Sequence, residues 1–141
     1  MAETLQLQLV SPERLLSEEP ITEAQIPALD GYIGVLPGHA PLISELMPGG
    51  VLTYHTGSVE KVLAVYGGFV EVLPDRVRVL ADGADFREEI NLQQAQHELS
   101  QATKALGSGG NGGHGGEDVA LGIALAAAMR AQAKVDAASK K

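Results

Sequence analysis

The spacing of apolar residues changes once along this 141-residue chain, and that change constrains its fold more than any other feature. As far as about Ala84 they recur at every second position. From about Glu89 they recur at every third or fourth. A period of two lines one face of a strand, and a period near 3.6 lines one face of a helix. The chain therefore divides into a β domain over residues 1–86 and a helical domain over residues 87–141.

In the first part, Leu5, Leu7 and Leu9 alternate with Gln6 and Gln8, as in a half-buried strand, and Ser11-Pro12-Glu13 turns it. LLSEE and ITEAQIPAL read as two further short extended segments. The run from Gly49 to Gly68 reads as two strands joined at His55–Ser58, where Gly57 accommodates a positive φ. A hairpin follows, with Val70 and Val72 on one arm, Val77 and Val79 on the other, and Pro74-Asp75 at its turn. Many short strands separated by frequent turn signals predict a sandwich or a barrel.

In the second part, Leu92, Ala95, Leu99, Ala102 and Leu106 form one helical seam, predicting a helix over about 90–106. Asn91 followed by Gln94 fits a capping box; Asp85 with Glu88 is a rival start. Residues 107–116, GSGGNGGHGG, hold seven glycines and read as a flexible loop in which His114 is exposed. Leu121, Ala124, Ala128, Ala131, Val135 and Ala138 form a matching seam on a second helix over about 117–139. Its acidic start at Glu117-Asp118 and basic end at Lys140-Lys141 suit the helix dipole. The pair predicts an antiparallel hairpin whose alanine-rich seam buries little area, so that it either stands firm or opens and re-docks.

Charge and composition exclude several functions. Residues 1–88 carry 13 acidic and 5 basic side chains, a balance of −8, and the remainder carries five of each. That argues against nucleic acid and against docking on anionic lipid. No cysteine is present, so neither a disulfide nor a thiolate is available. The start MAETLQLQLV has no basic leader, and no apolar run is long enough to span a membrane. His39, His55, His97 and His114 show no metal-ligand spacing, and no phosphate-loop, dinucleotide or nucleophile-elbow motif occurs. Catalysis by this chain alone is therefore disfavoured, and no metal or cofactor is expected. LDGYIGVLPGHAPLISEL, from Leu29 to Leu46, is apolar but broken by repeated glycines and prolines. It reads as a strand edge with several corners, with His39 at one of them.

The order VSPERLL, GYIGVLPGHAPLISELMPGGVL, VYGGFVEVLPDRVRVLAD, then a helical hairpin, closely resembles the epsilon subunit of bacterial and chloroplast F-type ATP synthases, called delta in mitochondria. The resemblance covers residues 5–86; beyond them it lies in architecture. It implies a ten-stranded β-sandwich followed by a two-helix C-terminal domain. It also implies a non-catalytic rotor subunit of the central stalk, carried peripherally on the cytoplasmic side of the bacterial inner membrane. Its partners would be the gamma subunit and the ring of c subunits, coupling ring rotation to ATP synthesis. In an inhibitory state the opened helices would meet the alpha and beta subunits and slow ATP hydrolysis.

By position, the resemblance places Asp30, Gly31 and Tyr32 at the c-ring, and Ser11 and His39 against gamma. Tyr32 stands where the family often has a charged or polar residue. The inhibitory cations would be Arg130, Lys134, Lys140 and Lys141, a sparse set that implies weaker inhibition than in members with a basic second helix. Some members bind ATP through Ile/Leu-Asp-x-x-Arg-Ala on the first helix. Here Ile90, Asn91, Gln94 and Ala95 occupy that motif, with Asn for Asp and Gln for Arg. Glutamine cannot pair with phosphate as a guanidinium does, so ATP binding is expected to be weak or absent. The glycine-rich loop is longer than the family's usual short polar turn. Two alternatives remain at this stage: a stand-alone β-sandwich binding module with a helical tail, and an enzyme whose site is completed in an oligomer.

Overall fold

The computed structural model describes residues 3–108 and 115–140, with side chains described except over 107–120. The ten strands are β1 (Leu5–Val10), β2 (Leu15–Ile21), β3 (Glu23–Ala28), β4 (Gly31–Val35), β5 (Leu42–Glu45), β6 (Gly50–Thr56), β7 (Val59–Val65), β8 (Gly68–Leu73), β9 (Arg76–Ala81) and β10 (Ala84–Phe86). A tight helical turn at Arg87–Glu89 leads into α1 (Leu92–Ser108) and α2 (Gly115–Ser139). Each helix extends two residues further into the glycine-rich stretch than its seam predicted. The rest of that stretch, with His114, lies outside the described residues, as does Lys141.

Sheet one has the order β2-β1-β9-β8-β5 and sheet two the order β10-β7-β6-β3-β4. β1 runs parallel to β9, with Leu7 beside Val77 and Leu9 beside Val79. The alternation read from the sequence points these residues inward with Val70 and Val72, onto Ile26, Leu52, Leu63 and Val65 of sheet two. Gly57 sits at φ 62 in the β6–β7 turn, as expected there. Tyr54 is buried among this core, and its hydroxyl meets Ser17 Oγ and Glu19 Oε2, each at 3.1 Å. Burial pushes its phenol up to about 12.

The second domain folds onto the first. Asn91 Oδ1 accepts from the Gln94 amide at 3.0 Å, which caps α1 where the sequence placed its start. The reciprocal half of the expected capping box is not made; the Gln94 side chain reaches Glu98 Oε1 at 3.4 Å instead. The predicted seams hold at Ala95, Ala128 and Ala131, which are buried, but Leu92 and Leu121 stay exposed. A second alanine face on α2 had not been read. Ala133 and Ala137 lie on Val62 and Ala64 of β7, flanked by Val51, Tyr66 and Ile90. Sheet two is thus buried on both faces around β7, where Val62, Leu63, Ala64 and Val65 are buried in succession.

Small side chains make this contact possible. A Cβ on Gly49 would collide with the Met129 carbonyl and lie 2.6 Å from the Arg130 nitrogen. Arg87 Nη1 donates to the Lys140 carbonyl at 2.7 Å, closing the C-terminal end of α2 against the inter-domain linker. Gly49→Ala is expected to displace α2 at a cost of about 1–3 kcal/mol while the sandwich stays folded. Amide exchange should then quicken in α2 and remain slow in β1, β8 and β9.

Candidate interaction surfaces

Among the described residues, the outer face of sheet one is not covered by the helices. The register sets Leu15 opposite Val10, Val10 beside Leu80, and Leu80 opposite Phe69. These residues form one apolar row across four strands, out of phase with the buried valines. Leu15 is 56% exposed, Leu80 50% and Phe69 53%, and Ile43 on the neighbouring β5 is 71% exposed. The next row is polar on β1, β9 and β8, where Arg78 donates to Gln8 Oε1 at 2.9 Å and faces Glu71 at 3.8 Å, and it ends on β5 in Ile43, opposite Glu71. Sequence reasoning missed this row, although Phe69 and Leu80 break the alternation of Val70, Val72, Val77 and Val79 and were readable as outward-facing.

The stretch from Leu29 to Leu46 supplies one edge strand of each sheet, β4 and β5, and crosses between them. Gly31 and Gly38 take φ values of 136 and 86 at its corners. Leu29 and Asp30 form the β3–β4 turn and Gly31 opens β4; there the Leu29 amide donates to the Glu45 carbonyl at 2.9 Å. Tyr32 lies on the outer face of sheet two instead. There its hydroxyl accepts from the Val51 amide at 3.1 Å, opposite the Pro27 stretch where the β3–β6 ladder ends. Tyr32 is still 52% exposed, but its hydroxyl is engaged within the fold.

Ser11 and His39 are not brought together. Ser11 closes the β1–β2 turn, its amide donating to the Arg14 carbonyl at 2.9 Å. It stands at the same end of the sandwich as Asp30. His39 stands at the opposite end, where the adjacent Gly38 amide donates to Pro74 of the β8–β9 turn at 2.8 Å. A six-residue strand separates the two ends, roughly 20 Å. His39 Nδ1 lies 2.6 Å from the Ala40 carbonyl.

Ile90, Asn91, Gln94 and Ala95 do converge, in a small cleft between the linker and the two helices, with Asp85, Glu89, Glu98 and Lys134. Its ammonium, Lys134 Nζ, is paired with Glu98 at 3.0 Å. Glu89 is bridged by Arg14 at 2.8 Å and accepts from the Phe86 amide, which holds its carboxyl below the usual range. Three carboxylates against one paired ammonium disfavour a phosphate group. Among the described residues, no group of three or more His, Cys, Asp or Glu is placed to hold a metal ion.

Of the expected inhibitory cations, Arg130 and Lys134 lie on α2 and Lys140 is the residue after its end. Arg130 and Lys134 turn toward the sandwich, 5.8 and 5.7 Å from the centre of the Tyr66 ring. The Tyr66 hydroxyl donates to Asp85 Oδ2 at 2.6 Å. Burial, then the Asp85 carboxylate, raises that phenol far above its ordinary value.

The family model for the ATP synthase delta/epsilon chain β-sandwich domain matches residues 4–86. The chain is 47% identical to the ATP synthase epsilon chain of Solibacter usitatus, over all of both chains. It is 46% identical to that of Rhodospirillum rubrum, over 73% of this chain and 82% of the relative. The fold is similar to a chain of the Euglena gracilis mitochondrial ATP synthase, with TM-score 0.72 and 24% identity over 87% of this chain and 76% of that one. It is also similar to a chain from the central stalk and c-ring of the Tetrahymena thermophila enzyme, with TM-score 0.60 and 13% identity over 96% and 97%.

The acidic cleft generates a prediction. Millimolar ATP should leave the melting temperature of this chain unchanged, because a ligand that does not bind the folded state cannot stabilise it. A rise with ATP that Gln94→Ala abolishes would contradict this reading of the cleft.

Proposed function

This chain belongs to the ATP synthase delta/epsilon family, whose β-sandwich domain it carries over residues 4–86, and from that premise we propose that it is a non-catalytic rotor subunit of the central stalk. The carrying observation is the asymmetry of the sandwich. Sheet two is covered by α2, while sheet one presents the apolar row of Leu15, Val10, Leu80 and Phe69 to solvent. A contiguous apolar row on an otherwise polar face suits a protein partner. We assign it to the gamma subunit, with Ser11 at its margin and His39 at the far end of the same sheet.

The turn at Asp30 and Gly31 is exposed at the Ser11 end and suits the polar loops of the c-ring. Ring rotation would pass through this turn and the sandwich to gamma. Tyr32 is better placed to support that turn than to make the contact, since its hydroxyl is held by Val51. The subunit would be held peripherally at the cytoplasmic face of the bacterial membrane by the assembly; among the described residues no helix is long and apolar enough to cross it. Arg130 and Lys134 of α2, with Lys140 just beyond it, would meet carboxylates of the alpha and beta subunits once the hairpin opens, making it a weak brake on hydrolysis.

Replacing Phe69 and Leu80 with Asp should weaken binding to the cognate gamma subunit about thirtyfold or more, as loss of a central hot spot does. Circular dichroism should stay unchanged, since both side chains are exposed. Added back to a catalytic head depleted of this subunit, the full chain should slow ATP hydrolysis. A truncation ending at Arg87 should bind gamma without slowing it. Equal effects of the two would contradict the brake, and failure of both to bind would contradict the rotor assignment.

A further inference from the structure

Tyr66 occupies an unusual position between the two domains. It follows β7, and its amide donates to the Gly83 carbonyl at 2.9 Å. One edge of its ring runs along Gly83, where an added Cβ would come within 3.2 Å of Cδ2. Its hydroxyl is fixed on Asp85 of β10. The ring is therefore pinned to the sandwich along its edge and at its tip, and it receives Arg130 and Lys134, one helical turn apart on α2. Lys134 is held additionally by Glu98 of α1, so the same cation joins both helices to the ring.

We propose that Tyr66 is the latch of the helical hairpin: its ring binds Arg130 and Lys134 in the closed state and so withholds these cations from an acidic partner. The neighbouring contact of α2 with the sandwich is made by Ala133 and Ala137, which bury little area each. A ring that engages two cations then adds to what holds α2 down, because cations over an aromatic face are attracted by its quadrupole. The competition is direct. Each cation faces the ring when the hairpin is closed and a partner carboxylate when it is open, and cannot do both. The phenol stays protonated across the physiological range, so the hydroxyl remains a donor to Asp85 and the ring stays pinned to the sandwich.

The latch concerns this chain alone; its consequence for hydrolysis rests on the brake reading above. The chain has no cysteine, so Ser58→Cys and Ser139→Cys place one spin label on the β6–β7 turn and one at the end of α2. Electron–electron distance measurements on the full chain then read the open fraction. Tyr66→Leu should raise that fraction about tenfold. Tyr66→Phe, which keeps the ring and loses only the hydroxyl, should raise it less. Replacing both Arg130 and Lys134 with Gln should open the hairpin as Tyr66→Leu does, and Tyr66→Leu should add little in that background. This arm carries the test if amide exchange shows that Tyr66→Leu disturbs β7. An unchanged distance distribution in both Tyr66→Leu and the double Gln variant overturns the latch. Hydrolysis by the reconstituted head separates the two ideas. A larger open fraction with slower hydrolysis supports both. A larger open fraction with unchanged hydrolysis keeps the latch and overturns the brake.

Discussion

The contact between the alanine face of α2 and the outer face of sheet two is what the rest of the structure depends on. It requires small residues on both sides: Ala133 and Ala137 on the helix, Ala64 on β7, and Gly49 where the Met129 carbonyl passes. Because this face is covered, β7 is apolar on both sides and carries a run of buried residues instead of an alternation. The helices cover sheet two, and among the described residues nothing covers the outer row of sheet one. An apolar face that its own chain does not cover calls for another molecule to cover it.

The same contact organises the charges. Alanine packing contributes area but little direction, so polar anchors fix where α2 sits. Arg87 closes its C-terminal end, Tyr66 takes two of its cations, and Lys134 binds back to α1. These anchors are reversible in water, since exposed ion pairs and cation–ring contacts are each modest. A domain held by thin packing and a few such anchors can leave its seat without unfolding the sandwich, whose core lies on the other side of sheet two. On the proposed function, coupling through the sandwich and regulation through the helices would thereby be kept apart.

How much of this was legible in the sequence depends on the range of each interaction. The strand alternation of Leu5–Leu9 and of Val70–Val79, the Gly57 turn and the Asn91 cap are local, and all are found where they were expected. The parallel pairing of β1 with β9 joins distant segments and leaves no local pattern. The second face of α2 escaped because alanine occurs all round the helix, so periodicity gave no contrast between the face toward α1 and the face toward the sheet. Tyr66 follows a run of apolar residues and precedes two glycines, and nothing nearby signals Arg130 or Lys134. Phe69 and Leu80 were readable in principle; attention to the buried phase of the hairpin hid the exposed one. The resemblance supplied the count of ten strands and the positions of Ser11, His39 and Asp30. The structure added that Ser11 and His39 lie at opposite ends, and that Tyr32 faces sheet two.

The central claim is that this molecule meets its rotor partner through sheet one while sheet two stays with its own helices. Hydroxyl-radical footprinting of the full chain, alone and with the cognate gamma subunit, tests it most directly. The account predicts that Phe69, Leu80 and Leu15 lose reactivity on binding while Tyr32 keeps it. Protection at Tyr32, with Phe69 and Leu80 as reactive as in the free chain, would contradict it.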